Sequence, residues 1–253
     1  MRSLVIGKVY TAADLAYYNK GSNFPSLIIT NINTSISTVL FPAMAKVNND
    51  VNNIKTLTRR SMKMSSYVIF PMMVGMAVVA EPMIKVLLTD KWLPVVPFLQ
   101  LCCAYWMFQP CQTANVQAIK AIGRSDICLK LEIVKKIIGF TIVLGTMFIS
   151  VYAVVLSNVF FAGISAAINI IPNRKLIHYG LKEQVCDLLP ALMLSLGMGL
   201  AVYLVSFLNL EALPMLIVQV LVGGVVYLAE SVLFKVEEFT YFKNIILKKK
   251  NAQ

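Results

Sequence analysis

Long stretches of the chain carry no charged residue. A helix needs about 20 mostly apolar residues to cross the ~30 Å hydrocarbon core of a bilayer, whereas elements of a water-soluble core rarely run that far without a charge. Six stretches of 17 to 37 residues contain no Asp, Glu, Lys or Arg: residues 21–45, 64–80, 92–119, 137–173, 188–210 and 212–229. The pattern predicts an all-α, polytopic membrane protein.

Charges and turn residues between these stretches divide the chain into about seven predicted spanning helices. The longest stretch would measure roughly 55 Å as one helix, too long for a single crossing, so we divide it at residues 150–152. A hydrophilic loop is expected at residues 46–63. The predicted spans are residues 22–45, 65–88, 95–121, 131–149, 153–171, 188–208 and 214–234.

These spans give five predicted regions. We expect an interfacial segment that ends a truncated helical region, a bundle of five spans, a cytoplasmic loop, two trailing spans and a basic cytoplasmic tail. They cover residues 1–21, 22–172, 173–187, 188–234 and 235–253. Glu132, Lys135 and Lys136 fall in the first turns of the fourth span, where long basic side chains can extend to the membrane boundary.

Two predicted spans carry many amide and hydroxyl side chains. Asn33 and Ser37 in the first span, and Gln112 and Asn115 in the third, recur at helical spacing. Polar groups at membrane depth need a partner or water, which predicts a hydrated cavity between these spans. Hydrogen bonding between helices would produce the same pattern. The candidate cavity residues are Asn31, Asn33, Ser37, Gln109, Gln112 and Asn115.

A charge pair lies near the end of the second predicted span. Glu81 and Lys85 are four residues apart and so share one helix face. Charged groups inside a membrane are candidate functional residues, which makes this pair a second candidate site. A structural or interfacial ion pair near the membrane boundary is the alternative interpretation.

The basic residues are distributed unevenly along the chain. The net charge is +11, with 14% charged residues against roughly 25% in a typical soluble domain. Eighteen Lys and Arg lie after spans one, three and five or in the tail, and five lie on the opposite side. This asymmetry places the C-terminus in the cytoplasm and indicates no nucleic-acid partner. Seven spans then place the N-terminus outside, so we expect further helices before residue 1.

The sequence lacks the residue patterns of common enzyme sites. It contains no Asp-x-Asp sugar-nucleotide signature, Gly-rich phosphate loop or Gly-x-Ser-x-Gly elbow. The single histidine, His178, has no second metal ligand in register, and the five cysteines lack metal-ligand spacing. We therefore expect a protein that is not an enzyme and that uses no metal or cofactor.

Five short motifs resemble a known family in type and order. They are similar to segments of the lipopolysaccharide and O-antigen repeat-unit flippases, in the multidrug/oligosaccharidyl-lipid/polysaccharide exporter superfamily. Ala16 stands where that family has glycine. The motifs are IGKVYTAADLAYYNK (6–20), VLFPAMA (39–45), LTDKW (88–92), LQL (99–101) and AIKAIGR (118–124).

The resemblance implies the second half of a 14-helix, two-lobed transporter of the bacterial inner membrane. Such proteins move an undecaprenyl-diphosphate-linked oligosaccharide repeat unit between leaflets by alternating access. The implied partners are that lipid-linked oligosaccharide, membrane lipid, and a missing N-terminal half or a second copy. A drug or cation antiporter of the same superfamily and an inactive fragment are the alternatives. A sugar-repeat polymerase would need a longer external loop.

The charge asymmetry makes a prediction about topology. Residues 48–60 and 175–186 should be cytoplasmic and residues 89–94 external. In intact cells, an impermeant thiol reagent should label a single cysteine at position 90, on a Cys-free background, and should label one at position 52 only after permeabilisation. Labelling at position 52 and not at 90 in intact cells would contradict this orientation.

Overall fold

The regular structure of the chain is helical. A computed structural model describes residues 2–45, 50–208 and 210–240. Throughout these ranges helices and short 3₁₀ turns are the regular elements, which confirms the all-α prediction. The helices are α1 (Arg2–Val9), α2 (Ala12–Ala45), α3 (Val51–Val78), α4 (Ala80–Leu87), α5 (Val95–Trp106), α6 (Gln109–Ala121), α7 (Ser125–Thr146), α8 (Val151–Leu176), α9 (Leu181–Val205) and α10 (Ala212–Leu233).

Four helical segments within the described ranges are long and apolar enough to cross a membrane. They are Val51–Val78, Val151–Leu176, Leu181–Leu208 and Ala212–Leu233. The chain is therefore a polytopic helical membrane protein. Helices α2 and α7 and the pair formed by α5 and α6 occupy the other three predicted spans.

Several helices extend beyond their predicted limits. Asp50 caps the start of α3, where its Oδ1 accepts hydrogen bonds from the backbone N–H groups of Asn52 and Asn53 at 3.0 and 3.1 Å. Most of the predicted hydrophilic loop at 46–63 is consequently helical. The predicted interfacial segment at 1–21 contains α1 and the start of α2, and the predicted loop at 173–187 is reduced to residues 177–180.

Two predicted spans are interrupted near a proline. Within the second span, α3 ends at Val78 and α4 begins at Ala80. The third span is broken between Trp106, where α5 ends, and Gln109, where α6 begins. Proline has no backbone N–H, so Pro82 and Pro110 cannot donate to the carbonyls four residues before them. The prediction of one continuous helix for each of these spans is therefore wrong.

Helix α3 lies at the centre of the bundle. It packs against α2, α5, α6 and α9, and α10 packs against α9 and α4. The side chains of Ile69, Phe70 and Met73 in α3 belong to a buried cluster with Leu99 of α5 and Ala191 of α9. The close packing of these apolar side chains fixes the order of the central helices.

Charged side chains join α3 to the start of α9. Lys55, Arg59 and Lys63 recur every four residues along one face of α3, opposite α9. Arg59 donates from Nε and Nη2 to the two carboxylate oxygens of Asp187, at 2.5 and 2.8 Å. The Asp187 side chain is only 4% exposed, so this two-point contact neutralises a buried charge.

Tyr179 completes the environment of Asp187. Its hydroxyl donates to Asp187 Oδ2 at 2.8 Å. Burial raises the pKa of Tyr179, and the Asp187 carboxylate raises it further. The hydroxyl therefore stays protonated and remains a donor.

Three buried amides join α9 to α6 and α8. Gln184 Nε2 donates to Asn115 Oδ1 at 3.0 Å, and Asn115 Nδ2 donates back to Gln184 Oε1 at 2.8 Å. Asn173 Nδ2 donates to Asn115 Oδ1 at 2.6 Å. All three side chains belong to residues that are at most 1% exposed. We refer to Asn115, Asn173 and Gln184 as the amide cluster.

The contact of Asp187 with Arg59 and Tyr179 predicts a large effect on stability. Asp187→Ala should lower the free energy of unfolding by about 2–4 kcal/mol, because it leaves a cation and a hydroxyl without their shared acceptor. Unfolding in mixed micelles with a denaturing detergent would measure it. Glu183→Ala is the matched control, since Glu183 is 45% exposed and its pair with Lys55 should contribute about 1 kcal/mol or less. Equal losses in both variants would contradict the prediction.

Candidate functional site: a polar groove between α2, α6, α7 and α8

Two adjoining cavities form a groove along the bundle. The first, which we call the amide cavity, has a volume of about 500 Å³ and lies among α2, α6, α7 and α8. The second, the adjoining cavity, has a volume of about 640 Å³ and is bounded mainly by α7, with contributions from α1, α2, α6 and α8. Gln112, Glu132 and Lys135 line both cavities, so these residues mark the junction.

Three of the residues proposed from the sequence meet in the amide cavity. Asn33 of α2 and Gln109 and Gln112 of α6 all contribute to its lining. Thr113 connects two of them, because its Oγ1 donates to Asn33 Oδ1 and accepts from Gln109 Nε2, both at 3.3 Å. Ser165 Oγ of α8 donates to Gln112 Oε1 at 3.4 Å. Side chains from three helices thus share one polar wall.

Asn31 and Asn115, also proposed from the sequence, do not belong to this wall. Asn115 was expected to line the cavity, but it is fully buried in the amide cluster, where Gln184 and Asn173 take up its hydrogen bonds. Asn31 is exposed and donates from Nδ2 to the Leu27 carbonyl at 3.0 Å. The side chain of Ser37 lies outside the described residues.

The charge pair in α4 lies away from the groove. Lys85 Nζ donates to Glu81 Oε1 at 2.8 Å, with the two side chains 35% and 61% exposed. Neither residue lines the two cavities. The contact is an i,i+4 pair between exposed side chains of a short helix, and its position within the membrane stays a prediction.

One face of α2 presents an exposed polar stripe. Thr30, Thr34 and Thr38 are exposed and recur every four residues. Each hydroxyl donates to the backbone carbonyl four residues earlier, at 2.7 to 2.8 Å. Their donors are therefore used within the helix, and the stripe presents mainly acceptor oxygens to its surroundings.

Lys135 of α7 is a buried cation beside the groove. Lys135 was expected in the first turns of the fourth span, but α7 begins at Ser125, so this residue lies in its third turn. The Lys135 side chain is 9% exposed, and its Nζ donates to the carboxylate of Glu132, which is 55% exposed. The i,i+3 spacing of opposite charges was the signal for this pair.

An amide without a partner lies in the wall of the amide cavity. Asn169 of α8 is fully buried and belongs to the cavity lining. Neither polar atom of its side chain has a hydrogen-bond partner among the described residues. Buried polar groups are usually paired, so an unpaired amide beside a polar cavity is typical of a position that contacts a ligand.

The groove can recognise hydroxyl groups and an anion. Amide side chains both donate and accept, which suits sugar hydroxyls, and the Lys135 ammonium supplies positive charge. The described residues contain no group of three or more His, Cys, Asp or Glu that could hold a metal ion.

Sequence comparisons relate the chain to proteins of polysaccharide biosynthesis. Residues 1–97 match a family described as polysaccharide biosynthesis protein. The lipopolysaccharide biosynthesis protein WzxC of Escherichia coli K12 is 25% identical over 135 residues, which are 53% of this chain and 27% of WzxC. The teichuronic acid biosynthesis protein TuaB of Bacillus subtilis is 24% identical over 238 residues, or 89% of this chain and 48% of TuaB. The chain thus spans half or less of these relatives.

A solved structure shares the fold. The lipid II flippase MurJ in its inward closed conformation superposes with a TM-score of 0.76 over 92% of this chain and 50% of MurJ, at 19% sequence identity. The fold is therefore shared with about half of that structure. Together with the sequence matches, this confirms the resemblance deduced from the five motifs: residues 1–97 match the polysaccharide biosynthesis family, and the chain is similar to proteins of lipopolysaccharide and teichuronic acid biosynthesis.

Proposed function

We propose that this chain forms one lobe of a transporter that moves lipid-linked oligosaccharides across the bacterial inner membrane. The observation that carries the proposal is the polar groove, in which amides of α2, α6 and α8 lie beside a buried ammonium group. A sugar head group needs such hydrogen-bonding partners while it crosses a medium that offers none. The names of WzxC, TuaB and MurJ, which refer to polysaccharide biosynthesis and to a lipid flippase, support this substrate class.

The proposed substrate is an undecaprenyl-diphosphate-linked repeat unit. Its sugar would bind to the amide cavity through Asn33, Gln109 and Gln112, whose side chains can donate to and accept from hydroxyl groups. The transporter performs no covalent chemistry on the substrate, and its C-terminus lies in the cytoplasm as the basic loops favour. Alternating access supplies the movement, with a substrate site between two helical units.

A second lobe would complete the substrate site. The exposed acceptor stripe of Thr30, Thr34 and Thr38 on α2 would be unfavourable against lipid, because hydrocarbon offers no donors to these oxygens. We propose that this face is directed towards the other lobe and the water-filled space between the two. An N-terminal half or a second copy of the chain would supply that lobe.

The cavity predicts which amide substitutions affect transport. In a complete transporter, Asn33→Leu and Gln112→Leu should each reduce surface polysaccharide by about tenfold or more, because each removes hydrogen-bonding groups from the substrate site. Asn31→Leu is the matched control: it makes the same change on α2 outside the cavity, and should keep normal export. Immunoblots of the polysaccharide, normalised to transporter in the membrane, would measure the effect. Normal export in both cavity variants would contradict the assignment.

The proposal also predicts that this chain does not transport by itself. A single helical unit has no opposing wall against which to rock, so the site would not be sealed from either side. A flippase-deficient strain should regain surface polysaccharide when the chain is expressed with a first half, and should not regain it with the chain alone. Restoration by the chain alone, as a purified monomer, would show that one lobe is sufficient. No restoration by either arrangement would favour an antiporter or an inactive fragment.

A further inference from the structure

We infer that Glu132 is an exchangeable counterion of Lys135, and that the diphosphate of the transported lipid replaces it there. The inference rests on the proposed function and assigns the charged part of the substrate to one position in the groove. It also implies an orientation, with the sugar in the amide cavity and the first prenyl units in the adjoining cavity.

Lys135 has unused hydrogen-bonding capacity. An ammonium group carries three N–H donors, and within the described residues the Lys135 Nζ has a contact with the Glu132 carboxylate. A buried cation needs an anionic partner, because loss of its hydration shell is costly. Lys135 is therefore a fixed positive charge that can take up further acceptor oxygens.

The two members of the pair differ in their freedom to move. The Lys135 side chain is 9% exposed, whereas that of Glu132 is 55% exposed. Glu132 can turn into water and keep its charge solvated, while Lys135 cannot leave without reorganisation of its surroundings. An incoming anion would therefore displace the carboxylate, and the cation would be neutralised throughout the exchange.

The position of the pair fits the middle of an amphiphile. Both residues line both cavities. On one side lie amides, including the unpaired Asn169. On the other side, the lining of the adjoining cavity includes Phe140, Val143 and Phe161, which suit a hydrocarbon chain. Lys136 also belongs to this lining. A diphosphate at Lys135 thus places each flanking part of the lipid in a cavity of matching polarity.

The exchange offers a physical basis for release. When the carboxylate returns to Lys135, it competes with the diphosphate for the same donors. This competition limits the affinity for the diphosphate, so the transported ligand does not remain bound. Each transport cycle requires that release. Removal of the carboxylate should consequently strengthen binding and slow transport.

The test measures binding to the purified full-length chain in detergent. The probe is farnesyl diphosphate, with uncharged farnesol as its counterpart, and titration calorimetry gives Kd. Lys135→Gln should weaken farnesyl diphosphate binding by about tenfold or more, since a charge-assisted contact is lost. Its matched control, Lys130→Gln, removes a charge from the exposed face of the same helix and should leave Kd unchanged.

The Glu132→Gln variant should have the opposite effect on binding. It should tighten farnesyl diphosphate binding by about three- to tenfold, because the competing anion is removed. Glu211→Gln, at an exposed position before α10, is the control for loss of a negative charge. In the complete transporter, Glu132→Gln should lower export despite the tighter binding. Weaker or unchanged binding in this variant would overturn the inference.

Two further outcomes are distinguishable. Dihexanoyl phosphatidylglycerol should not compete with farnesyl diphosphate; competition that depends on Lys135 would assign the site to a phospholipid head group and overturn the inference. Binding of farnesyl diphosphate that is independent of Lys135 would also overturn it and leave the proposed function intact. Absence of binding to the chain, with normal export by Asn33→Leu and Gln112→Leu, would overturn the proposed function as well.

Discussion

The need to satisfy polar groups at the start of α9 organises the bundle. Asp187 and Gln184 lie in its first two turns and are almost fully buried. Asp187 is neutralised by Arg59 of α3, and Gln184 pairs with Asn115 of α6, which in turn binds Asn173 of α8. Because an unpaired polar group in a dry interior is costly, these contacts hold four helices in one arrangement. That arrangement positions the walls of the groove formed by α6 and α8.

The polar residues of the bundle divide into two groups with different roles. Members of the amide cluster hydrogen-bond to one another and are closed to solvent, so they join the helices of the fold, although Asn173 Oδ1 has no partner among the described residues. Lys135 and Asn169 retain unused hydrogen-bonding capacity beside a cavity. A hydrogen-bonded amide layer next to groups with unused hydrogen-bonding capacity is an arrangement suited to binding, since the unpaired groups are held in place before the ligand arrives.

Local signals account for the differences between predicted and observed helix limits. The hydrophilic residues after position 50 suggested a loop, but Asp50 is a good N-cap, and the basic residues that follow form a helical stripe that faces acids of α9. Their partners, such as Asp187, lie 128 residues later in the chain, so the stripe could not be interpreted locally. The helix break before Pro110 could have been predicted from the sequence, because proline cannot complete the helical hydrogen-bond pattern.

The membrane-spanning helices and the resemblance to a known family could be deduced from the residues alone, because long uncharged stretches satisfy a length requirement of the bilayer and short motifs occur in a fixed order. The roles of individual amides could not be deduced from the sequence. Gln112 and Asn115 are three residues apart on α6 and appear equivalent in sequence, yet Gln112 lines a cavity and Asn115 is sealed by Gln184, 69 residues away. Likewise, Lys135 differs from its exposed neighbour Lys136 only in its burial against other helices. Hydrogen-bond satisfaction depends on which distant helix packs on each face, and that is a property of the assembled bundle.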